Sequence, residues 1–513
     1  MTILASDLQS VARDKRLGTA NLGDIVPSLG ERVALIDERA GGTRWTATGI
    51  REAAAAIAGG LRERGCPPGD AIAIIAENSG EFLCCYLGIM QAGLVAVPVN
   101  YRLPAETIAF ILNDCGARLA LVDAVGRSVI PSDFPIIRLD SDGPGTFEAL
   151  VTGKAMYPTE PIAGEIATIL YTSGSTGRPK GVPLSHSGQL WALGIHALPE
   201  KTTGESTLIV APMYHMNALF NMSVALINGV EIVLMPRFEA RSWLGAIATH
   251  RCTRLSGIPS MFAMAARERD LIDVFDLSSV TRITIGSAPL TEALVDRVRA
   301  IFPNALVTNG YGTTEAGPSI FGEHPQGLVR PPLALGYPLA EVELRLTEGT
   351  DEQGVLELRT PAQLDGYLNL PDATAERIRD GWYITGDIMR RDEQGFFYFV
   401  GRADDMFVCG GENVYPGEVE KLLERHPDVM QAAVVAVPDE IKGHIPIAFV
   451  VPAPDAALSE AQLKDFALAE GPAFSHPRAV LIVDELPVAG THKIDKRPLL
   501  PLAIKAARAL KRG

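Results

Sequence analysis

The stretch 171-YTSGSTGRPKGV-182 sets three glycines, four small hydroxyl side chains and two bases within twelve positions. Gly174, Gly177 and Gly181 can take positive φ and let a ligand approach the backbone, while Thr172, Ser173, Ser175 and Thr176 add hydroxyls beside the exposed N–H groups. Arg178 and Lys180 supply the positive charge that a polyphosphate requires. Ile166 to Tyr171 reads as a buried strand delivering the loop to a sheet edge. A surface turn with incidental charges is the competing reading, because Gly/Ser/Thr clusters also mark ordinary loops. The P-loop pattern GxxxxGK[ST] is absent, since Pro179 precedes the lysine and Gly181 follows it.

Three further segments carry chemistry. In 311-YGTTEAG-317, two threonines and Glu315 can hold phosphate oxygens and a divalent cation through one carboxylate; a polar helix cap is the alternative. In 383-YITGD-387, Asp387 follows a Thr-Gly turn, where a carboxylate can accept both hydroxyls of a ribose; an Asx turn is the alternative. In 401-GRADDMFVCGGENVYPGEVE-420, Arg402 and Asp404 precede a Gly410–Gly411 pair, residues that a structural linker would also use.

These segments need elements to position them, and the sequence predicts an α/β fold. Helical patterns over Gly49–Arg64 and Gly80–Ala92 alternate with strand patterns over Asp70–Ala76 and Leu94–Val99. The alternation returns with a strand at Arg282–Gly286 and a helix at Thr291–Phe302. Near Gly401 the elements shorten: a helix at Gly417–Arg425, strands at Gln431–Val437, Ile447–Val451 and Val480–Val483, a helix opened by Ser459 with Gln462 three residues on, and a final helix. The expected organisation is a large N-terminal domain of several subdomains, residues 1–402, and a small mobile α+β domain, residues 403–513.

Composition narrows the function classes. The chain has 513 residues, 47% of them hydrophobic and 21% charged, as in ordinary soluble globular proteins. A net charge of −15 with no basic stripe argues against nucleic acid. Six scattered cysteines lack any zinc spacing and read as reduced thiols. The apolar run 82-FLCCYLGIMQAGLVAVPV-99 is interrupted by Gln91, Gly93 and Pro98, so a buried helix and strand fit better than a membrane span. The N-terminus has charges where a signal peptide has its apolar core, and the expected location is the cytoplasm.

In order and spacing, the quoted motifs resemble those of the adenylate-forming enzymes: acyl- and aryl-CoA synthetases, adenylation domains of peptide synthetases and firefly luciferase. The resemblance runs from GDAIAIIAENSGEFL to 490-GTHKIDKRPLL-500 and is nearest to bacterial aryl-CoA ligases of the 4-chlorobenzoate type, above all at 366-GYLNLPDATAERIRDGWYITGD-387. It implies ATP, Mg²⁺ and coenzyme A as ligands, a small carboxylic acid as substrate, and admits a homodimer. The loop Thr172, Ser173, Gly174, Ser175, Thr176, Gly177 and Lys180 would hold the β- and γ-phosphates. Gly312, Thr313 and Thr314 would lie along the nucleotide, Thr314 at the α-phosphate, and Glu315 would hold Mg²⁺. Gly286, Ser287, Ala288, Pro289 and Tyr311 would flank adenine, and Asp387 and Arg402 would bind ribose. His215, in 211-APMYHMNAL-219, matches a gate beside the acid carboxylate, Asp404 a hinge, and Lys493 the lysine reaching the acid and α-phosphate. Gly410 and Gly411 match the strand that admits the pantetheine arm.

Two positions depart from the family pattern. His492 stands where glycine usually precedes the lysine, and Lys442 stands where the chlorobenzoate type has an aromatic residue near the CoA nucleotide. The segment after His215, 216-MNALFNMSVAL-226, has no Arg or Lys to hold a second carboxylate, so aromatic or medium-chain acids are expected. A ligase loading a carrier protein, and a non-catalytic acyl-adenylate-binding regulator, are the two rival functions.

Overall fold

The computed structural model describes residues 20–140, 145–161, 164–172, 178–199, 202–454, 456–489 and 493–510. Two large sheets dominate. One has seven strands in the spatial order Leu306–Gly310, Arg282–Gly286, Arg254–Gly257, Ser206–Ile209, Glu231–Leu234, Val33–Asp37 and Thr43–Thr46, parallel except for the last pair. The other has six, in the order Ile136–Arg138, Leu119–Val122, Ala71–Ile75, Val95–Pro98, Ile166–Thr172 and Lys180–Ser185, parallel except for the final hairpin. Parallel strands buried on both faces must read as apolar runs, as AIAII at Ala71–Ile75 does.

Helices between the sheets complete one core. Ala47–Glu63 starts at Thr46, whose hydroxyl accepts from Gly49 N at 3.0 Å, and Gly80–Gln91 starts at Ser79, whose hydroxyl accepts from Phe82 N at 3.0 Å. The two helices cross closely at Gly88, where a Cβ would come 2.7 Å from the Ala54 carbonyl oxygen. Every residue of Gly80–Gln91 except Glu81 is buried, so the apolar run is core. No helix among the described residues is long and apolar enough to cross a membrane.

A third, antiparallel sheet joins Glu343–Thr347, Gln353–Arg359, Trp382–Arg391 and Ile378–Arg379, with Phe397–Arg402 paired to Trp382–Arg391. Here the structure corrects one expectation. Thr385 and Gly386 are not in a turn but inside the ten-residue strand Trp382–Arg391, where the register against Gln353–Arg359 slips and Gly386 takes φ +74°. The slip is a bulge, which re-aims the side chain that follows it, and that side chain is Asp387.

The C-terminal elements form a separate sheet: Glu412–Val414, Phe407–Cys409, Gly443–Pro452 and Val429–Asp439, with Ala479–Ile482 parallel to Gly443–Pro452. Its core draws only on residues from Phe407 onward. Ser459 and Gln462 form the expected reciprocal cap of helix Glu460–Glu470. All six cysteines are free thiols.

The C-terminal unit meets the rest of the chain at helix Glu292–Ile301 and at strand Phe397–Arg402, where Lys421 Nζ donates to the Phe399 carbonyl at 3.0 Å. Arg297 donates to the Val429 and Met430 carbonyls at 2.6 and 2.8 Å, and Thr291 Oγ1 donates to Glu424 Oε2 at 2.8 Å. Burial raises the Glu424 carboxyl to about 7; Thr291, the Ala432 N–H and Arg297 oppose that shift, and Glu420 adds to it. Lys421 also faces this group. A carboxyl whose pKa is raised in the contact favours the contact when protonated, so its contribution is full below the ordinary carboxylate range and is lost as pH rises towards 7. Limited proteolysis between pH 5 and 8 is therefore expected to show the two parts separating about tenfold more readily at the alkaline end. Glu424→Gln should flatten that profile; an unchanged slope in the variant would locate the titration elsewhere.

Candidate active site

The site forms where strand ends of the large sheets meet the third sheet. Strands Arg282–Gly286 and Leu306–Gly310 set Gly286 opposite Gly310 so closely that a Cβ on Gly286 would stand 2.7 Å from the Gly310 oxygen. The chain leaves the first strand through Ser287 at φ +63°, a left-handed conformation costly for a residue with a side chain. Ser287 and Pro289 are exposed and Ala288 is half-buried.

The second strand runs into Tyr311 and a tight turn. Thr313 and Gly317 exchange two backbone hydrogen bonds of 3.0 Å, and the Ala316 N–H donates to Thr313 Oγ1 at 2.9 Å. Gly312 is obligatory here, since a Cβ would come 2.4 Å from the Pro318 oxygen. The turn leaves Thr314 and Glu315 half-buried at the site. Tyr367 donates its hydroxyl to Glu315 Oε1 at 3.1 Å, and the same ring lies 5.2 Å from Lys180 Nζ. Lys180 is the cross-strand partner of Thr172, at the shoulders of the glycine-rich hairpin. Ser173, Gly174, Ser175, Thr176 and Gly177, as well as His492, lie outside the described residues.

Asp387 gathers the next group. It receives the Tyr311 hydroxyl at 2.5 Å on Oδ2 and Arg402 Nη1 at 2.9 Å on Oδ1, and Arg402 Nε continues to Asp404 Oδ1 at 3.0 Å. Asp387 and Arg402 are cross-strand partners, so the sheet register itself makes the pair. Burial pushes the Asp387 carboxyl up from its ordinary value and Arg402 opposes it; burial likewise raises Glu315.

His215 opens helix Met216–Asn228 and stacks edge-on to Tyr214 with centroids 4.7 Å apart. Its Nε2 is buried and has no hydrogen-bond partner among the described residues. Burial first, and the charge of Lys493 second, lower its pKa to about 4, so the ring is neutral near pH 7. Lys493 is exposed, yet protein surrounds it densely enough that desolvation lowers its pKa, with Asp387 opposing and Arg402 reinforcing. The lysine thus sits within electrostatic reach of His215, Asp387 and Arg402.

Gly410 and Gly411 are not part of this cluster. They make the turn between Phe407–Cys409 and Glu412–Val414, at φ +65° and +93°, exposed and with no atom within 4 Å of an added Cβ. A groove of about 400 Å³ lined by Tyr337, Val342, Trp382 and Phe397 holds none of the site residues either.

Sequence reasoning passed over two contributors. Asn78, almost fully buried, donates Nδ2 to the Ala211 and Met235 carbonyls at 3.0 and 3.1 Å and accepts from Met213 N at 2.8 Å. It ties one large sheet to the other just ahead of His215. Tyr367 bridges Lys180 and Glu315. An Asn beside a cap and a lone Tyr have no local pattern that separates them from loop residues.

Comparison with known proteins identifies the family. Residues 26–368 match the family model described as AMP-binding enzyme, and residues 418–493 match AMP-binding enzyme C-terminal domain. Among relatives, the feruloyl-CoA synthase of Amycolatopsis sp is 32% identical, over 89% of this chain and 94% of that protein. The 3-[(3aS,4S,7aS)-7a-methyl-1,5-dioxo-octahydro-1H-inden-4-yl]propanoyl:CoA ligase of Mycobacterium tuberculosis is also 32% identical, over 95% of this chain and 99% of that protein. In structure, the chain is similar to the anthranilate CoA ligase AuaEII in complex with anthranoyl-AMP, with a TM-score of 0.86, 26% identity, and coverage of 97% of this chain and 99% of that one. With both family models matched in order and CoA ligases among its relatives over most of their length, the chain belongs to the AMP-binding enzyme family, as an ATP-dependent enzyme of its acid:CoA ligase class.

Proposed function

We propose that the chain activates a carboxylic acid, aromatic or medium-chain, as its acyl-AMP and then forms the acyl-CoA thioester at the same site. In the first step a carboxylate oxygen bonds to the α-phosphorus of ATP as the bond to pyrophosphate breaks. In the second, the CoA thiolate attacks the acyl carbon and AMP leaves. The observation that carries this reading is the placement of Lys493 within reach of His215, Asp387 and Arg402. Attack of one anion on another needs a cation at the reacting centre, and Lys493 is that group.

No general base is required, because the acid is ionised near pH 7. Neutral His215 offers a buried nitrogen beside the carboxylate without adding charge. Asp387 and Arg402 hold the ribose, Ser287 to Pro289 and Tyr311 border the base, and Lys180 with Thr172 addresses the terminal phosphates. Glu315 fits a divalent cation: it is a hard oxygen donor whose burial penalises an uncompensated charge, next to the Thr314 hydroxyl. Mg²⁺ held by Glu315 would neutralise phosphate charge. The hinge assigned to Asp404 divides residues 1–402 from 403–513. Exposure of Asp404, and the start of a new core at Phe407, support a joint there.

AMP release from ATP and Mg²⁺, measured over pooled aromatic, straight-chain and dicarboxylic acids with and without CoA, tests the reading. Release that requires both an acid and CoA is expected. Acid-dependent ATP–pyrophosphate exchange untouched by CoA would transfer the reading to carrier-protein loading, and no response to any acid would favour a regulator.

The exposed Gly410–Gly411 turn must approach the site for the second step. Gly411→Leu is expected to spare adenylation and slow thioester formation from supplied acyl-AMP by at least about tenfold. Gly411→Ala carries the same backbone strain at φ +93° without filling the path. Equal losses in the two variants would reject the obstruction.

A further inference from the structure

The chain delivers Lys493 on the return arm of a short hairpin. Val488 and Ile494 bridge antiparallel, the Ala489 N–H donates to the Lys493 carbonyl at 2.7 Å, and the Asp495 N–H donates to the Pro487 carbonyl at 2.8 Å. These bonds set the shape of the hairpin and leave open how it leans on the unit that carries it. Ile494 and Leu499 pack on the C-terminal core, but apolar contact is non-directional. The directional hold is Lys496, whose Nζ lies 2.6 Å from Glu420 Oε1. The same carboxylate oxygen accepts the Val434 N–H at 2.8 Å, and the Glu420 side chain is only 14% exposed, so the acceptor is fixed where the lysine meets it.

Glu420 stands on helix Pro416–Glu424, whose other polar side chains bind elsewhere. Lys421 reaches the Phe399 carbonyl at 3.0 Å, and Glu424 accepts from Thr291 Oγ1 at 2.8 Å and from the Ala432 N–H at 3.0 Å. One helix, rigid over about 13 Å, therefore carries contacts to the rest of the chain and the seat of the lysine hairpin. Lys496 also acts on Asp405, one residue beyond Asp404, so the seat lies beside the joint assigned there.

We propose that Glu420 is a positioning residue for adenylation: its ion pair with Lys496 seats the hairpin on helix Pro416–Glu424, so that Lys493 is presented to the reacting carboxylate and α-phosphate. This rests on the ligase reading above. An ammonium on a flexible four-carbon stem is a movable charge, and a misplacement of about 1 Å at a reacting centre can cost on the order of 10²-fold in rate. Thioester formation does not call on Lys493, so loosening its seat should spare that step.

The test is a double-mutant cycle of Glu420→Gln and Lys496→Met in the full-length enzyme. It is read by acid-dependent ATP–pyrophosphate exchange with pooled aromatic and straight-chain acids and, separately, by thioester formation from supplied benzoyl-AMP and octanoyl-AMP. Glu420→Gln keeps an oxygen for the Val434 N–H and removes only the charge. Each single variant is expected to lower exchange at least about tenfold, and the double variant no further, because all three break one contact. Thioester formation should be unaltered, and Lys496→Arg, which keeps the charge, should restore most of the exchange. With Lys493 less firmly seated, the His215 titration followed by NMR should move up in Glu420→Gln. Unaltered exchange or an unmoved His215 titration in Glu420→Gln, additive losses in the double variant, or equal loss of both half-reactions overturns the proposal while leaving the ligase reading intact. Absence of acid-dependent exchange in the wild type overturns both.

Discussion

Lys493→Ala is expected to lower acid-dependent ATP–pyrophosphate exchange by about 10²- to 10³-fold, while thioester formation from supplied acyl-AMP stays within the same order of magnitude. The asymmetry follows from where the charge is needed. Repulsion between a carboxylate and a triphosphate exists only in the first step, and among the described residues the cation that acts on Lys493 is Arg402, which is committed to Asp387 and Asp404. A readout independent of turnover is available as well. Since Lys493 lowers the His215 pKa, removing the ammonium should raise it, and a histidine titration followed by NMR should show the shift. Equal loss of both half-reactions, or a His215 titration indifferent to the substitution, would contradict the position of Lys493.

Asp387→Ala is expected to have the second largest effect, and to act on stability and binding together. The substitution strips Arg402 Nη1 of its acceptor and leaves the Tyr311 hydroxyl without the carboxylate. The expected loss is about 2–3 kcal/mol, the range for hydrogen bonds to a charged group, and less than for a wholly buried ion pair because Arg402 is partly open to solvent and keeps Asp404. KM for ATP should rise by at least about tenfold, because one carboxylate that can accept two ribose hydroxyls is gone. Denaturant titration and ATP saturation curves measure the two effects separately. Normal ATP affinity in a destabilised variant would make Asp387 a purely structural partner of Arg402, and Asp387→Asn, which keeps the shape and loses the charge, separates the electrostatic part.

What the sequence determines by itself is local. Apolar runs and glycine-punctuated alternation place the buried strand Ile166–Thr172, the helix Gly80–Gln91 and the capped helix Glu460–Glu470 where they are found, because periodicity and capping act over a few residues. Motif chemistry is local too: a Thr-Thr-Glu turn, an Asp after Thr-Gly and a hydroxyl-rich hairpin carry residue types that suit phosphate and ribose, and it is their order along the chain that points to one family. The tertiary structure alone decides the rest. Thr385–Gly386 reads as a turn, yet pairing on both sides draws it into a strand and turns the mismatch into the bulge that aims Asp387. Asn78 joins Ala211, Met213 and Met235, Tyr367 joins Glu315 to Lys180, and His196 joins Ser319 and Phe220, each across long stretches of chain. Lys493 comes within electrostatic reach of His215 because the C-terminal unit docks on the rest of the chain, at helix Glu292–Ile301 and through Lys421 on the Phe399 carbonyl. Such meetings depend on how sheets twist and stack around a shared core, and no spacing along the chain encodes that distance.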